Sequence, residues 1–238
     1  MQLPSQCAVC RSWPSEPVCR ACLAQFTPDK PRCTGCAICL PTDLSLGRRT
    51  SPARCMDCIK QPPSIDLVLA ALDYAYPWSG LISRYKFGDH PAWAPFFAAI
   101  LLGAPGVAQA LACLQSADLI LPVPLSKQRL QARGFNQAWT LAQALARQAG
   151  SAATADSTLL LRLKNTRPQT ELLRQERLAN VKGAFLVDPL RAHALKGKRV
   201  ILVDDVMTSG ASLLTAAQAL QAAGAAHITG LVLARTPL

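Results

Sequence analysis

Two adjacent carboxylates, Asp204 and Asp205, followed closely by three hydroxyls and a glycine, are the residues of this sequence best placed to do chemistry. They belong to RVILVDDVMTSGASL, Arg199 to Leu213, whose apolar run Val200 to Val203 suits a short strand buried on both faces of a parallel sheet. The stretch LLTAAQALQAAG then reads as a helix ending at Gly224. In an open α/β sheet the ligand crevice lies beyond the carboxyl ends of the strands, where the two acids fall. Successive strand residues point to opposite faces, so both acids are expected to share a ligand only if the chain leaves strand geometry at Asp205. A turn entering a helix offers backbone N–H groups and the positive end of the helix dipole to an anion. Thr208, Ser209 and Ser212 add hydroxyl donors, and Gly210 lets the backbone approach closely. Acids that accept from ribose hydroxyls beside a phosphate cradle suit a sugar phosphate. The absence of a GK[ST] or GxGxxG string disfavours a nucleoside triphosphate or a dinucleotide. Taken alone, such an acid pair is as easily a solvated helix cap; the full fifteen-residue context sets this one apart.

That context resembles the signature by which type I phosphoribosyltransferases bind 5-phosphoribosyl 1-diphosphate (PRPP). The resemblance implies that Asp204 and Asp205 hold the ribose hydroxyls and that Thr208, Ser209, Gly210, Ala211 and Ser212 surround the 5-phosphate. A second strand is expected at LILPVP, Leu119 to Pro124, followed by a loop carrying Lys127, Arg129 and Arg133 and then a helix from Phe135 to Gln148. Cations beyond the end of a second strand suit a diphosphate, whose departure needs its charge neutralised. Ser126 and Lys127 join the expected PRPP ligands, and Arg133 joins the two aspartates as a catalytic candidate.

The amino-terminal quarter carries different chemistry. Nine of the ten cysteines precede residue 60, and eight form CxxC knuckles: Cys7/Cys10, Cys19/Cys22, Cys33/Cys36 and Cys55/Cys58. Two knuckles complete a tetrahedral four-thiolate site, so four knuckles predict two structural zinc ions. Sequence order pairs the first knuckle with the second and the third with the fourth, although interleaved pairing fits equally. CTGCAIC also admits Cys39 as a knuckle sulfur in place of another. Cys113, in an apolar helical stretch, reads as a buried small hydrophobe. A head of this size buries too little to fold unaided, which gives the metal a structural role. Gln61-Pro62-Pro63-Ser64 breaks helices and divides the chain into a head, 1–62, and a body, 63–238.

In the body, Ile65 to Tyr76 reads as a strand and Ser79 to Phe87 as a helix bearing Arg84 and Lys86. His90, before a proline, reads as a surface residue, and Gly150 to Asp156 as a loop. Ile228 to Leu233 supplies a last strand. Between Leu159 and that strand lies RLKNTRPQTELLRQERLANVKGAF, too charged for a packed core and suited to a mobile lid or a charged helix. The fold class is therefore α/β, a mainly parallel sheet behind a cysteine-rich module.

The 238 residues carry a formal charge of +11, which points to an anionic partner such as nucleic acid; two zinc ions on eight thiolates would lower that charge by about four. No apolar run is long enough to span a membrane, and MQLPSQC lacks the features of a secretory signal, so a cytoplasmic location without membrane insertion is expected. The knuckles, Gln61-Pro62-Pro63, Tyr85-Lys86-Phe87, LPVPLSKQRLQARGFNQA and VILVDDVMTSGAS together resemble the ComF (ComFC/GntX) family of competence proteins over nearly the whole chain. One departure is Ala37, where many relatives carry glycine. The resemblance implies a zinc-finger head on a phosphoribosyltransferase domain that handles single-stranded DNA during uptake, with DNA-uptake or helicase proteins as partners and magnesium accompanying PRPP. It also makes the charged segment a flexible loop, through Arg167, Gln169, Thr170, Arg177 and Asn180. An active phosphoribosyltransferase and a PRPP-sensing regulator are the alternatives. Aromatics are sparse, with Tyr85, Phe87, Phe135 and Trp139 the candidates for stacking on bases.

Overall fold

The computed structural model describes residues 5–41, 53–87, 91–163 and 183–237. In chain order these form α1 (Arg20–Phe26), α2 (Met56–Lys60), β1 (Leu67–Asp73), α3 (Trp78–Phe87), α4 (Ala94–Leu102), α5 (Val107–Ala112), β2 (Leu119–Pro122), α6 (Lys127–Arg133), α7 (Gln137–Gln148), β3 (Thr154–Ala155), β4 (Leu160–Arg162), β5 (Phe185–Val187), β6 (Arg199–Met207), α8 (Ala211–Ala222) and β7 (His227–Arg235). Five strands make one sheet in the order β1-β7-β6-β2-β3, every pair parallel, while β4 and β5 form a separate antiparallel hairpin.

Parallel strands need cover on both faces, which is why β2, β6 and β7 read as nearly continuous apolar runs. One face is covered by α3, α4 and α7, whose Trp78, Tyr85, Phe97, Leu101, Leu141 and Leu145 are fully buried. The other is covered by α8, through Leu213, Ala216, Ala217 and Leu220, and by the hairpin through Leu160, Phe185 and Val187. Gly230 of β7 lets α8 sit this close: a Cβ there would stand 2.9 Å from Leu213 Cδ2 and 3.0 Å from Ile65 Cδ1.

Several boundaries differ from the sequence expectation, each for a local reason. The basic segment Lys127 to Arg133 is a helix rather than a loop. Its residues are good helix formers, Ser126 Oγ caps the start by accepting from Arg129 N (3.4 Å), and Gly134, at φ +75°, ends it. The next helix begins at Gln137 because Asn136 Oδ1 accepts from Ala138 N at 3.0 Å. The strand expected over Ile65 to Tyr76 is shorter, and the Gly150 to Asp156 stretch contributes the two-residue β3. Cys113 is exposed just past α5, accepting from Gln109 Nε2 at 3.4 Å, and so is not a core residue. Tyr85 is the reverse case. Its ring is fully buried against Phe97 and Phe135, with its hydroxyl held by the Gln137 carbonyl (2.7 Å) and the Thr140 hydroxyl (2.6 Å), so it cannot stack on a base.

The head packs directly on the body. Val68 N, on β1, donates to the Thr34 carbonyl at 2.8 Å, and Trp78 Nε1 donates to the Phe26 carbonyl at 2.7 Å. Lys30 and Arg32 pair with Asp73 at 2.7 and 2.9 Å. Among the described residues no helix is long and apolar enough to cross a membrane.

Candidate functional site

The carboxyl end of β6 opens into a cavity of about 470 Å³ whose walls include Asp204, Asp205, Thr208 and Ser212 together with Arg129, Arg133 and Arg162. The chain does not leave strand geometry at Asp205: β6 runs on to Met207. Both acids nonetheless reach the hollow because β2 stops short. Its last pairing is Pro122 with Val203, so beyond that point β6 has, among the described residues, an open edge on this side while β7 continues alongside it to Arg235. Side chains from either face of the strand can turn around an open edge into one space.

The acids are fixed locally. Asp204 Oδ1 accepts from Asp205 N at 2.8 Å, Asp205 Oδ1 accepts from Val206 N at 2.6 Å, and Lys86 Nζ, near the end of α3, lies 3.0 Å from Asp205 Oδ1. Burial, reinforced by the charge on Asp205, pushes the Asp204 carboxyl up to about 7, against the pull of Lys86 and Arg162. The opposite wall is cationic. Burial and the neighbouring Arg129 bring Arg162 down to about 10, and burial with Arg133 lowers Arg129. Guanidiniums crowded until they disfavour one another's charge are a ready site for a multiply charged anion. Arg133 also donates to Gln137 Oε1 (3.1 Å) and lies 4.7 Å above the exposed Phe87 ring, which shares the cavity wall.

The turn after β6 has the form the sequence suggests. Gly210, at φ +81°, precedes α8, and Ser209 Oγ accepts from Ala211 N at 3.4 Å. An added Cβ on Gly210 would stand 2.5 Å from Met207 Cε, and its left-handed backbone favours glycine. Thr208 and Ser212 line the cavity; Ser126 is buried with its hydroxyl used as the α6 cap, and Lys127 is exposed outside the cavity walls. Arg167, Gln169, Thr170, Arg177, Asn180 and His90 lie outside the described residues. The sequence reading assigned no role to Lys86 or Arg162. The available signal for Arg162 was a lone arginine inside the apolar run Leu159 to Leu163. A larger hollow of about 620 Å³, bordered by Leu69, Phe96 and Ile100, lies between head and body and includes neither the acid pair nor the turn.

The cysteines gather into two clusters, Cys7, Cys10, Cys19, Cys22 and Cys33, Cys36, Cys55, Cys58, with all four sulfurs of each within 4.8 Å of one another. Pairing therefore follows sequence order. A tetrahedral metal with sulfurs at about 2.3 Å requires them about 3.8 Å apart. The separations of Cys10 from Cys19 (3.6 Å), Cys36 from Cys55 (3.6 Å) and Cys7 from Cys22 (4.0 Å) fit that geometry. Burial alone would raise Cys7, but backbone N–H donors from Cys19, Cys10 and Val9 bring it down to about 6; Cys55, Gly35 and Cys36 do the same for Cys33, to about 7. Burial and adjacent thiols push Cys22 up to about 12. Each cluster thus holds thiols pulled in opposite directions, which a cation would draw together toward the thiolate, and each could hold a metal ion. Cys39 stands outside, its thiol 3.3 Å from Asp73 Oδ1. Ala37 takes the left-handed backbone, φ +56°, that glycine would adopt more easily, held by its N–H on the Cys33 carbonyl (2.7 Å) and its carbonyl on Arg32 Nη1 (3.2 Å).

The mainly parallel sheet is that of a phosphoribosyltransferase domain, and the phosphoribosyl transferase domain family matches residues 136–237, which carry β6, the acid pair and the turn. The DNA utilization protein YhgH of Escherichia coli K12 is 31% identical over 99% of both chains. Competence protein F of Haemophilus influenzae is 34% identical over 76% of this chain and 78% of its own. The competence protein ComFC of Bacillus subtilis is 34% identical over 50% of this chain and 45% of its own. The chain belongs to the ComF family of competence proteins.

Proposed function

We propose that this protein binds PRPP with magnesium in the β6 cavity and serves DNA uptake or use, holding single-stranded DNA on its basic surface. The observation that carries the reading is the meeting, in one hollow, of an acid pair, a hydroxyl-rich turn before a helix and three guanidiniums. Acids accept from ribose hydroxyls, the turn takes the 5-phosphate, and Arg129, Arg133 and Arg162 balance the diphosphate. Magnesium, when bound, would be held beside Asp204 and Asp205 and would supply positive charge to offset that of the diphosphate. Zinc in the two clusters holds the head, 1–62, on the body, 63–238. Thiols kept reduced for such sites suit the cytoplasm. The names of the relatives, DNA utilization protein and competence protein, support the DNA role, in which a helicase or other uptake protein is the partner.

Isothermal calorimetry tests the pocket. Wild-type protein should bind PRPP with magnesium, and Asp204→Asn with Asp205→Asn should abolish the signal; equal heats from both proteins would remove the acids from the site. Retention on single-stranded DNA should fall steeply with salt.

A second reading, active transfer, is favoured by Phe87, 68% exposed on the cavity wall beside Arg133, where a flat acceptor could lie. An acceptor nitrogen would attack C1 of the ribose, the C1–O bond would break, and the electron pair would leave with diphosphate. Pyrophosphate release across a panel of nucleobases and amines separates this reading from binding alone.

A further inference from the structure

Arg235, near the end of β7, is buried, and its guanidinium joins two parts of the molecule that the sequence keeps far apart. Nε donates to the carbonyl of Cys36, a ligand residue of the second cysteine cluster, at 2.8 Å. Nη1 donates to the carbonyl of Met207 at 3.1 Å, to that of Thr208, and to that of Thr236 at 2.8 Å. Met207 and Thr208 are where β6 gives way to the turn.

In a planar trans peptide the C=O and the following N–H point in opposite directions. Drawing the Met207 and Thr208 carbonyls toward Arg235 therefore aims the N–H groups of Thr208 and Ser209 away from it. The guanidinium is a rigid planar fork, so its grip on Cys36 and its grip on the turn cannot shift independently. The position of Cys36 in turn depends on its knuckle, whose sulfur stands 3.6 Å from that of Cys55 and whose next residue, Ala37, is locked by Arg32.

We infer that Arg235 is a positioning residue through which metal in the second cysteine cluster orients the phosphate-binding turn, so that the head sets PRPP affinity without touching the ligand. This rests on the PRPP reading of the β6 cavity. It also assigns the head a role in the pocket, separate from contact with nucleic acid.

The experiment combines metal removal with Arg235→Lys, which keeps a buried cation but replaces the fork with a single ammonium. Hydrogen–deuterium exchange of the 207–214 segment reads the turn without any ligand, and PRPP calorimetry with magnesium reads the pocket. Chelating zinc from the wild type should speed exchange in that segment while α7 keeps its protection, and should weaken PRPP binding about tenfold, a coupling of ordinary size. Zinc-loaded Arg235→Lys should show the same two changes, and stripping its zinc should add nothing further, because the link is already cut. Unchanged turn exchange after metal removal overturns the inference, as do additive effects of the two perturbations. If the turn responds to metal but PRPP gives no heat, the ligand reading fails while the strut stands.

Discussion

Asp204 is the residue on which charge and burial conflict most directly. It holds its proton up to about pH 7, whereas an ordinary aspartate releases it near 3.8. The folded protein therefore binds more protons than the unfolded chain between those limits, and its stability should fall as pH rises from about 4 to about 7. Asp204→Asn should flatten that decline and raise stability at neutral pH by roughly 1–3 kcal/mol, read from urea midpoints on either side of the window. The same titration governs the ligand: PRPP affinity should tighten as pH rises through about 7, because the carboxylate is the form that accepts from hydroxyls. Gly210→Ala strains a left-handed position and should cost about 1–2 kcal/mol while loosening PRPP binding, measured by thermal melting and calorimetry. The acids and the turn were legible in the sequence because they are contiguous, whereas Arg162 and Lys86 were not, since only the tertiary fold brings them from separate elements to Asp204 and Asp205.

Among the elements, strand interiors and helix cores were readable from apolar runs, and their ends were not. Polar caps decided those ends: Ser126 and Asn136 turned an expected basic loop into α6 and delayed α7. The most consequential detail, β6 outrunning β2, depends on where a neighbouring strand stops, which no local pattern encodes. The contact between α8 and the sheet is equally specific. Gly230→Val would force a branched side chain against Leu213 and Ile65 and should destabilise the fold by about 1–3 kcal/mol in chemical denaturation, with the turn ahead of α8 losing exchange protection.

At the scale of the whole molecule, the sequence pointed to a basic protein whose amino-terminal cysteines could hold metal, and it left open how the knuckles pair and that this segment lies against the sheet. Salt should separate the two proposed kinds of anion binding: exposed cations facing single-stranded DNA would be screened, while the half-buried guanidiniums around the cavity would be screened less. Raising ionic strength should release DNA well before it weakens PRPP, a contrast that filter binding and calorimetry on one preparation can read. The sheet order has a consequence for synthesis on the ribosome. Leu67 pairs with Thr229 and Asp73 with Arg235, so the first strand of the body finds its neighbour only after almost the whole polypeptide has been made. Until then its apolar residues lack their partner, and a nascent chain stalled before Thr229 should be protease-sensitive throughout the body even if its cysteine head has already taken up metal.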